Sequence, residues 1–175
     1  MRDFTFRGKN AQSYGIVIES IARTLLAGRR DTRITIPQRD GRIETGGYMA
    51  YEGIQISVSC GFLADNKEKR QTKAREIAYW LSGAGNLIFS DEPDKYYKAV
   101  VISPINLETL LSVGKFSAVF DCYPFAFGKT VDEGFGESYV PHYKGTASTP
   151  TMISIHNAGE NPAVGIQIQI RKRVI

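Results

Sequence analysis

The strongest fold signal in the sequence is the stretch Ile54-Gln55-Ile56-Ser57-Val58-Ser59-Cys60-Gly61-Phe62. Apolar residues occupy every second position, and small or polar residues lie between them. Successive side chains of a β-strand point to opposite faces, so this alternation predicts a strand with one buried face. The stretch therefore indicates a sheet that covers a core on one side.

A helix pattern follows this strand, over about residues 67–81. The predicted buried stripe consists of Ala74, Ile77, Ala78 and Leu81. Their spacing of i, i+3, i+4 and i+7 places them on one face of a helix. Asp65-Asn66 is a plausible N-terminal cap, and the glycines of Gly83-Ala84-Gly85 predict the end of the helix.

Shorter strand patterns surround this strand and helix. Strands are predicted at 4–6, 14–18, 86–89, 96–102, 115–123, 151–155 and 165–170, and residues 107–113 have mixed signals. Turns are predicted between them, at Gly8-Lys9-Asn10, at the proline-centred segment 90–95 and at 157–161. The fold class that follows is mainly β: a β-sandwich with one packed α-helix.

Residues 28–47 differ from the rest, because charged residues are dense there and large apolar residues are few. Thr32–Ile36 and Arg42–Thr45 predict two short strands, and Gln38-Arg39-Asp40-Gly41 predicts the turn that joins them, since Asp-Gly tolerates positive φ. An isolated hairpin with so little to bury has no core of its own. We therefore expect a projecting β-hairpin that extends into solvent or lies on another surface.

Composition excludes several classes of protein. Apolar residues make up 42% and charged residues 23% of the 175 residues, which is typical of a globular chain and not of a disordered one. The net charge is only +4, and the 22 basic and 18 acidic residues are mixed along the chain. A nucleic-acid-binding protein usually concentrates its basic residues in one patch, so charge gives that function little support.

The two cysteines, Cys60 and Cys122, lie in alternating apolar segments. Buried free thiols are the favoured interpretation, because a small disulfide-stabilised secreted domain usually carries more cysteines. No apolar run has the length of a membrane helix, and no secretory signal begins the chain. These features predict a soluble protein made in the cytoplasm, which is compatible with a virion component.

The titratable residues give no convincing catalytic or metal site. Asp91, Glu92 and Asp94 offer oxygen ligands for a cation, but a proline interrupts them and a solvated turn is favoured. His142 and His156 are the only histidines, and neither has a partner at metal-ligand spacing. Both are interpreted as surface residues, and no metal or cofactor is expected.

Three further features have a structural and a functional interpretation. Gly83-Ala84-Gly85 follows a helix, whereas a phosphate-binding loop precedes one, so a helix C-terminus is favoured. The basic residues of the helix are diluted by Glu68 and Glu76, which favours a solvated face over a nucleic-acid contact. The aromatic run Tyr123–Phe127 fits the end of a core better than a stacking platform for sugars or bases.

Several segments, in their order and spacing, resemble one known family, the distal tail (Dit) proteins of siphophages. The matching segments are Phe4–Gly8, Ser13–Val17, Ile36–Gly41, Ile77–Leu81, Leu87–Ala99 and Phe116–Phe127. The resemblance covers about residues 1–130 and rests on no single motif. It implies an N-terminal β-sandwich with one helix and a projecting hairpin, six copies of which close into a ring.

The resemblance also implies a domain organisation and a set of partners. Residues 1–130 would be the ring-forming domain, 131–148 a linker, and 149–175 the incomplete start of a second, galectin-like or carbohydrate-module-like β-sandwich. The chain would then be a truncated protein or a short variant. The implied partners are further copies of the chain, the tail tube protein, a tail tip protein and a receptor-binding protein, with no membrane segment.

The hairpin supplies the predicted contact between subunits. Ring closure joins two different surfaces of the same chain, and a hairpin without its own core is suited to be one of them. The predicted interface residues are Arg29, Arg30, Arg33, Ile36, Arg39 and Arg42. Two other functions stay open: a module that binds a host cell-surface sugar, and a cell-wall hydrolase, for which no paired carboxylates or metal site are found.

Overall fold

The computed structural model describes residues 2–30, 33–34, 37–38, 40, 43–44, 50–62, 67–104, 114–134, 136, 139–140, 143–162 and 164–169. The chain divides into two compact units, Met1–Gly136 and Glu137–Ile175. The first unit contains every helix and strand of the described residues. The predicted cap Asp65-Asn66 and the segment 107–113, whose signals are mixed, lie outside the described residues.

The described part of the first unit contains ten strands, one α-helix and one 3₁₀ helix. The strands are β1 Phe4–Phe6, β2 Lys9–Asn10, β3 Ile16–Arg23, β4 Arg33–Ile34, β5 Ile43–Glu44, β6 Ile54–Phe62, β7 Ala84–Phe89, β8 Lys95–Val101, β9 Lys115–Cys122 and β10 Phe127–Gly128. The α-helix α1 is Lys67–Leu81, and the 3₁₀ helix is Ala11–Tyr14. The predicted mainly β fold class is confirmed.

Eight strands form one antiparallel sheet in the order β2-β1-β7-β8-β9-β6-β3, with β10 paired to β8. The sequence analysis expected a sandwich, whereas the main strands are hydrogen-bonded into a single sheet. The first and last strands of this order, β2 and β3, are joined by residues 11–15 alone. The sheet order and this short link together determine the shape of the sheet.

A flat sheet is incompatible with this short link between β2 and β3. Six strand spacings of about 4.8 Å would separate β2 from β3 by roughly 29 Å. Six residue steps span at most about 22 Å, and the 3₁₀ helix within the link shortens this reach further. The sheet therefore curls, and Gly15 ends the link in a left-handed conformation with φ 66° that suits glycine.

Aromatic contacts across the interior show the same curvature. The rings of Phe6 in β1 and Phe120 in β9 have centroids 5.3 Å apart, although β7 and β8 separate their strands. Three flat strand spacings would place them about 14 Å apart. The curled sheet thus gathers its buried side chains into one core.

Trp80 of α1 is the centre of the contact between helix and sheet. Its indole N–H donates a 2.9 Å hydrogen bond to the Phe6 carbonyl. Its ring stacks on Phe4 at 5.6 Å and on Tyr14 at 4.6 Å between centroids. One side chain therefore connects the helix to β1 and to the link that closes the sheet.

The predicted helix bounds are confirmed, but the predicted buried stripe needs one correction. Ala74, Ile77 and Leu81 are buried, whereas Ala78 is exposed. Ala78 lies about 100° round the helix from Ile77, outside the buried arc. Trp80 completes that arc on the other side of Ile77.

The end of α1 also differs from the prediction. The guanidinium of Arg7 donates a 3.3 Å hydrogen bond to the Trp80 carbonyl, where the helix dipole favours a cation. A Cβ atom at Gly83 would lie 2.9 Å from Arg7 Cζ, and one at Gly85 would overlap the same side chain. Gly83 and Gly85 are therefore explained by the space that the Arg7 side chain occupies beside them, and not by a left-handed helix cap.

Both cysteines are free and buried, as predicted. Cys122 lies opposite Ile54 and Cys60 opposite Phe116, so they are six residues apart along β6, or about 20 Å. A disulfide between them is excluded by this distance. Burial raises the pKa of each thiol to about 12.

The second unit, described by itself, contains neither helix nor strand in its described residues. The predicted strands at 151–155 and 165–170 are therefore wrong for the described residues, while the turn at 157–161 is present. Asn157 organises this turn, because its Oδ1 accepts from the Gly159 N–H at 3.0 Å and its Nδ2 donates to the Asn161 carbonyl at 2.9 Å. An isolated hairpin is marginal in water, and exposed residues such as Ile155 and Ile166 have nothing to pack on.

We expect Trp80→Ala to lower the free energy of unfolding by about 3–5 kcal/mol, because it removes a large buried side chain. Urea unfolding followed by circular dichroism measures the change, since Trp80 is the only tryptophan and its fluorescence is lost. Tyr79→Ala is the matched control, because Tyr79 is 79% exposed on the same helix and should change stability by less than about 0.5 kcal/mol. Equal effects of the two substitutions would contradict the assigned packing.

Candidate subunit interface

The predicted interface segment forms an arm, defined here as residues 29–51. Arg29 and Arg30 lie at its base, and Arg33 begins strand β4. Ile36, Arg39 and Arg42 lie outside the described residues, and for Arg33 only the backbone is described. The structure thus places three of the six predicted residues on the arm.

The base of the arm is a short antiparallel ladder. The Arg30 N–H donates to the Ala50 carbonyl at 2.9 Å, and the Glu52 N–H donates to the Gly28 carbonyl at 2.7 Å. The Arg30 side chain also forms an exposed ion pair with Glu52 at 3.1 Å. This pairing brings the two ends of the arm together, although an exposed ion pair adds little to stability.

The predicted hairpin is present further along the arm. Arg33 pairs with Glu44 and Ile34 with Ile43 in a two-stranded sheet separate from the eight-stranded one. In the turn, Gln38 adopts φ 68°, and it is exposed. Among the described residues of the turn, Gln38 has the positive φ, whereas Gly41, on which the prediction relied, lies outside the described residues.

The arm continues the β3–β6 hairpin beyond the large sheet. Strands β3 and β6 pair up to Arg23 and Ile56, and the next antiparallel contact along the chain is the bridge between Arg29 and Tyr51. The β4–β5 pair follows in the same antiparallel sense. One long hairpin thus begins with β3 and β6 in the curled sheet and ends with β4 and β5 in a separate two-stranded sheet.

Arg23 fixes the end of β3, from which the arm departs. Its guanidinium contacts both Asp91 carboxylate oxygens at 2.6 Å and Glu92 at 3.1 Å, and it lies 4.1 Å from the centroid of the Phe89 ring. The side chain of Arg23 is 18% exposed. These contacts join one edge of the curled sheet to the turn between β7 and β8.

The acidic segment of the sequence therefore binds an arginine. Asp91 and Glu92 hold Arg23, and Glu92 also forms an ion pair with Lys95 at 3.1 Å. The hydrogen bond from Arg23 is the main cause that holds the pKa of Asp91 below its ordinary value of 3.8. Within the described ranges, no group of three potential metal-ligating side chains is found.

Comparison with known proteins decides the family of the chain. The model of a family described as the phage tail protein RIFT-related domain matches residues 4–122, about two thirds of the chain. The chain belongs to this family. It is therefore a structural protein of a phage tail.

A solved structure of a phage tail protein has the same fold. The Dit protein of phage SPP1 matches with a TM-score of 0.60 and 16% sequence identity. That protein is described as a paradigm of the hub adsorption apparatus of phages that infect Gram-positive bacteria. The expected resemblance to distal tail proteins is confirmed at the level of the fold.

The match covers 74% of this tail protein and 52% of the SPP1 chain, so this chain spans about half the length of that protein. No curated protein sequence matches it. In the part of the chain that the structure describes, no helix has the length and apolar character needed to span a membrane. These findings assign the family and the fold of the tail protein.

Sequence reasoning missed two exposed residues beside the arm. Leu25 and Leu26 are 92% and 82% exposed and lie between β3 and the arm base. Two adjacent exposed leucines are an unusual surface for a soluble domain, and such apolar surfaces often mark contacts. They follow closely on the apolar pattern of β3, so no local pattern indicates that they are exposed.

Other candidates of the sequence analysis have ordinary surroundings. His156 is exposed, and His142 lies outside the described residues. On α1, the residues Glu68, Lys69, Arg75 and Glu76 are exposed. This mixture of charges gives the helix the solvated face that was predicted for this tail protein.

We expect Arg23→Gln to lower the free energy of unfolding near pH 7, because charged hydrogen bonds are lost. The expected loss is only about 1 kcal/mol, because water screens the exposed Asp91. The pKa of Asp91 is lowered by folding, so its contribution is present above pH about 4 and is lost as the pH falls. The stability difference between wild type and variant should therefore shrink between pH 5 and about 2. Urea unfolding across this range measures it.

Lys115→Gln is the matched control for this experiment. Lys115 forms a surface ion pair with Glu19, and both side chains are well exposed. This substitution should change stability by at most about 0.5 kcal/mol. A difference between wild type and Arg23→Gln that stays constant with pH would contradict the assigned role of Asp91.

Proposed function

We propose that this tail protein is a hub subunit whose copies close into a ring, most simply a hexamer, that joins the tail tube to the tail tip or baseplate. The observation that carries the proposal is the arm, a hairpin that leaves the curled sheet and forms a separate two-stranded sheet. A two-stranded hairpin is marginally stable alone, so a surface on a neighbouring copy would stabilise it.

A ring requires a heterologous contact, in which two different surfaces of the same chain meet. In the proposal, the arm and the adjacent Leu25-Leu26 form one of these surfaces. Arg29, Arg30, Arg33, Arg39 and Arg42 contribute its polar contacts, because arginine suits interfaces better than lysine does, and Ile36 adds an apolar contact. Leu25 and Leu26 contribute the apolar contact, since both are almost fully exposed in the single chain.

The other parts of the proposal concern the partners and the second unit. The ring contacts the tail tube protein on one side and a tail tip or receptor-binding protein on the other, in a virion assembled in the host bacterial cytoplasm. The role requires neither a cofactor nor catalysis. In the proposal, residues 149–175 belong to a second domain that follows a linker, which is supported by the division of the chain into the compact units Met1–Gly136 and Glu137–Ile175.

Deletion of the arm tests the ring. Replacing residues 31–49 with a short Gly-Ser loop keeps the paired base at Arg30 and Ala50. We expect the wild type to assemble to six times the chain mass and the deletion variant to stay monomeric, because one of the two contact surfaces is gone. Native mass spectrometry measures the mass, and circular dichroism checks that the variant keeps its fold.

A deletion variant that still forms the ring would overturn the role of the arm. A wild type that is monomeric at every concentration tested would overturn the ring itself. The matched control shortens the exposed segment 129–134, which lies outside the arm, and should leave the assembly unchanged.

Substitution of the two leucines tests the apolar part of the same surface. Leu25→Ser combined with Leu26→Ser should weaken assembly by a factor of about ten or more, because it removes apolar surface that only a neighbour would bury. The fold should be unaffected, since neither residue is in the core. Tyr79→Ser is the control for loss of an exposed apolar side chain, and sedimentation velocity measures the assembly. Equal assembly of all three proteins would contradict the proposed contact.

A further inference from the structure

A cleft of about 650 Å³ lies beside the base of the arm. Its lining includes Arg30, Tyr51, Asn86, Lys98, Asp121 and Tyr123. Its volume is within the range of small-molecule sites in proteins. Arg30 and Tyr51 also belong to the arm, whereas the proposed hub function makes no use of the cleft residues on the sheet and in the segment that follows β9.

Strand register places the polar residues of the cleft on the outer face of the sheet. Asn86 pairs with Lys98 across β7 and β8, and Val100 pairs with Asp121 across β8 and β9. Their neighbours in sequence, such as Leu87 and Ala99, are buried on the opposite face. An amide, an ammonium and a carboxylate therefore lie on three adjacent strands at one exposed surface.

Aromatic rings border the same surface. Tyr123 is 61% exposed, and Lys98 Nζ lies 5.9 Å from its ring centroid and 4.7 Å from that of Phe127. Phe127 stacks on Tyr96 at 5.4 Å, with 21° between the ring planes. These cation–π and stacking contacts hold Lys98 and the aromatic border in place.

A second aromatic pair lies on the arm side of the cleft. Tyr51 meets Phe125 edge to face at 5.3 Å between centroids. The lining of the cleft thus includes two tyrosines, Tyr123 and Tyr51, together with hydrogen-bonding groups. Aromatic residues with a few convergent polar groups are typical of binding sites.

The charges of the cleft favour a neutral ligand. Arg30 is paired with Glu52, and the remaining Lys98 and Asp121 have opposite signs. A polyanion such as a nucleic acid is bound by an excess of cations, which is not found here. A saccharide matches better, because its C–H face packs on an aromatic ring and its hydroxyls pair with amide, carboxylate and ammonium groups.

A second cavity of the described residues lacks these features. It has a volume of about 570 Å³ and lies on the outer face of α1, where Gln71, Thr72, Arg75, Glu76 and Tyr79 line it. All five residues belong to one helix, and the single aromatic residue has no second ring opposite it. The cleft beside the arm is therefore the better candidate for a ligand.

We propose that this cleft binds a neutral saccharide, with one sugar ring against Tyr123 and its hydroxyls paired with Asn86, Lys98 and Asp121. The tail protein would then hold a glycan on its first unit, within residues 1–136. This inference does not depend on the ring, so it can fail or succeed separately from the proposed hub function.

An oligosaccharide array tests the proposal with the full chain. The probes are immobilised oligosaccharides of hexose and N-acetylhexosamine units, and the strongest hit is then titrated by calorimetry. We expect Tyr123→Ala to weaken binding roughly tenfold or more, because loss of an aromatic stacking contact has about this effect. Tyr123→Phe should retain most of the affinity, since the ring remains.

Tyr79→Ala is the matched control, because Tyr79 is exposed on the helix of the same unit. It should leave binding unchanged, and circular dichroism should show the same fold for all variants. An array with no signal above background would overturn the proposal, as would an affinity that Tyr123→Ala does not change. Loss of self-assembly in Tyr123→Ala without any glycan binding would also overturn it and would assign the surface to a contact between copies.

Discussion

The short link between the two edge strands of the sheet determines most of the structure. Because only residues 11–15 connect β2 to β3, the sheet must curl until its edges approach each other. Curling brings Phe6 and Phe120 into contact and creates the surface on which Trp80 packs. The core, the position of α1 and the end of β3 at Arg23 all follow from this one connection.

The same constraint explains why the arm lies apart from the large sheet. The hairpin formed by β3 and β6 begins in the curled sheet and leaves it at the end of β3. Arg23 is the last residue of β3, and its contacts with Asp91 and Glu92 hold it in place. Beyond it, the described residues of the two segments pair with each other, first at Arg30 and Ala50 and then in β4 and β5. The exposed Leu25-Leu26 pair lies at this transition. A rigid sheet thus carries an extended hairpin, an arrangement suited to contact with a neighbouring subunit.

Much of the fold was predictable because local patterns determine local structure. Strand β6 and helix α1 were predicted with their observed bounds. Apolar residues alternate regularly in β6, and in α1 they recur at the spacing of a helix face. Strand β3 was predicted too short, because a bulge between Ile18 and Ser20 shifts the register and breaks the alternation. The sequence analysis predicted a sandwich, whereas the structure has a single curled sheet. The strand order was not predictable, because it depends on contacts between residues far apart in the chain.

The candidate site was less predictable than the fold, for a physical reason. The arm was recognised from its charge and its turn residues, which are local properties. The partner of Asp91 lies 68 residues away in sequence, so no local pattern connects it to Arg23. The cleft likewise combines residues from β7, β8, β9 and the arm base, which only the folded sheet brings together.

The central claim is that the arm is buried by a second copy of the chain. Hydrogen–deuterium exchange of residues 29–44, followed by mass spectrometry above and below the assembly concentration, tests this claim most directly. The account predicts fast exchange of these amides in the monomer and protection in the assembly. Equal protection at both concentrations would show that the arm is stabilised by its own chain and would contradict the account.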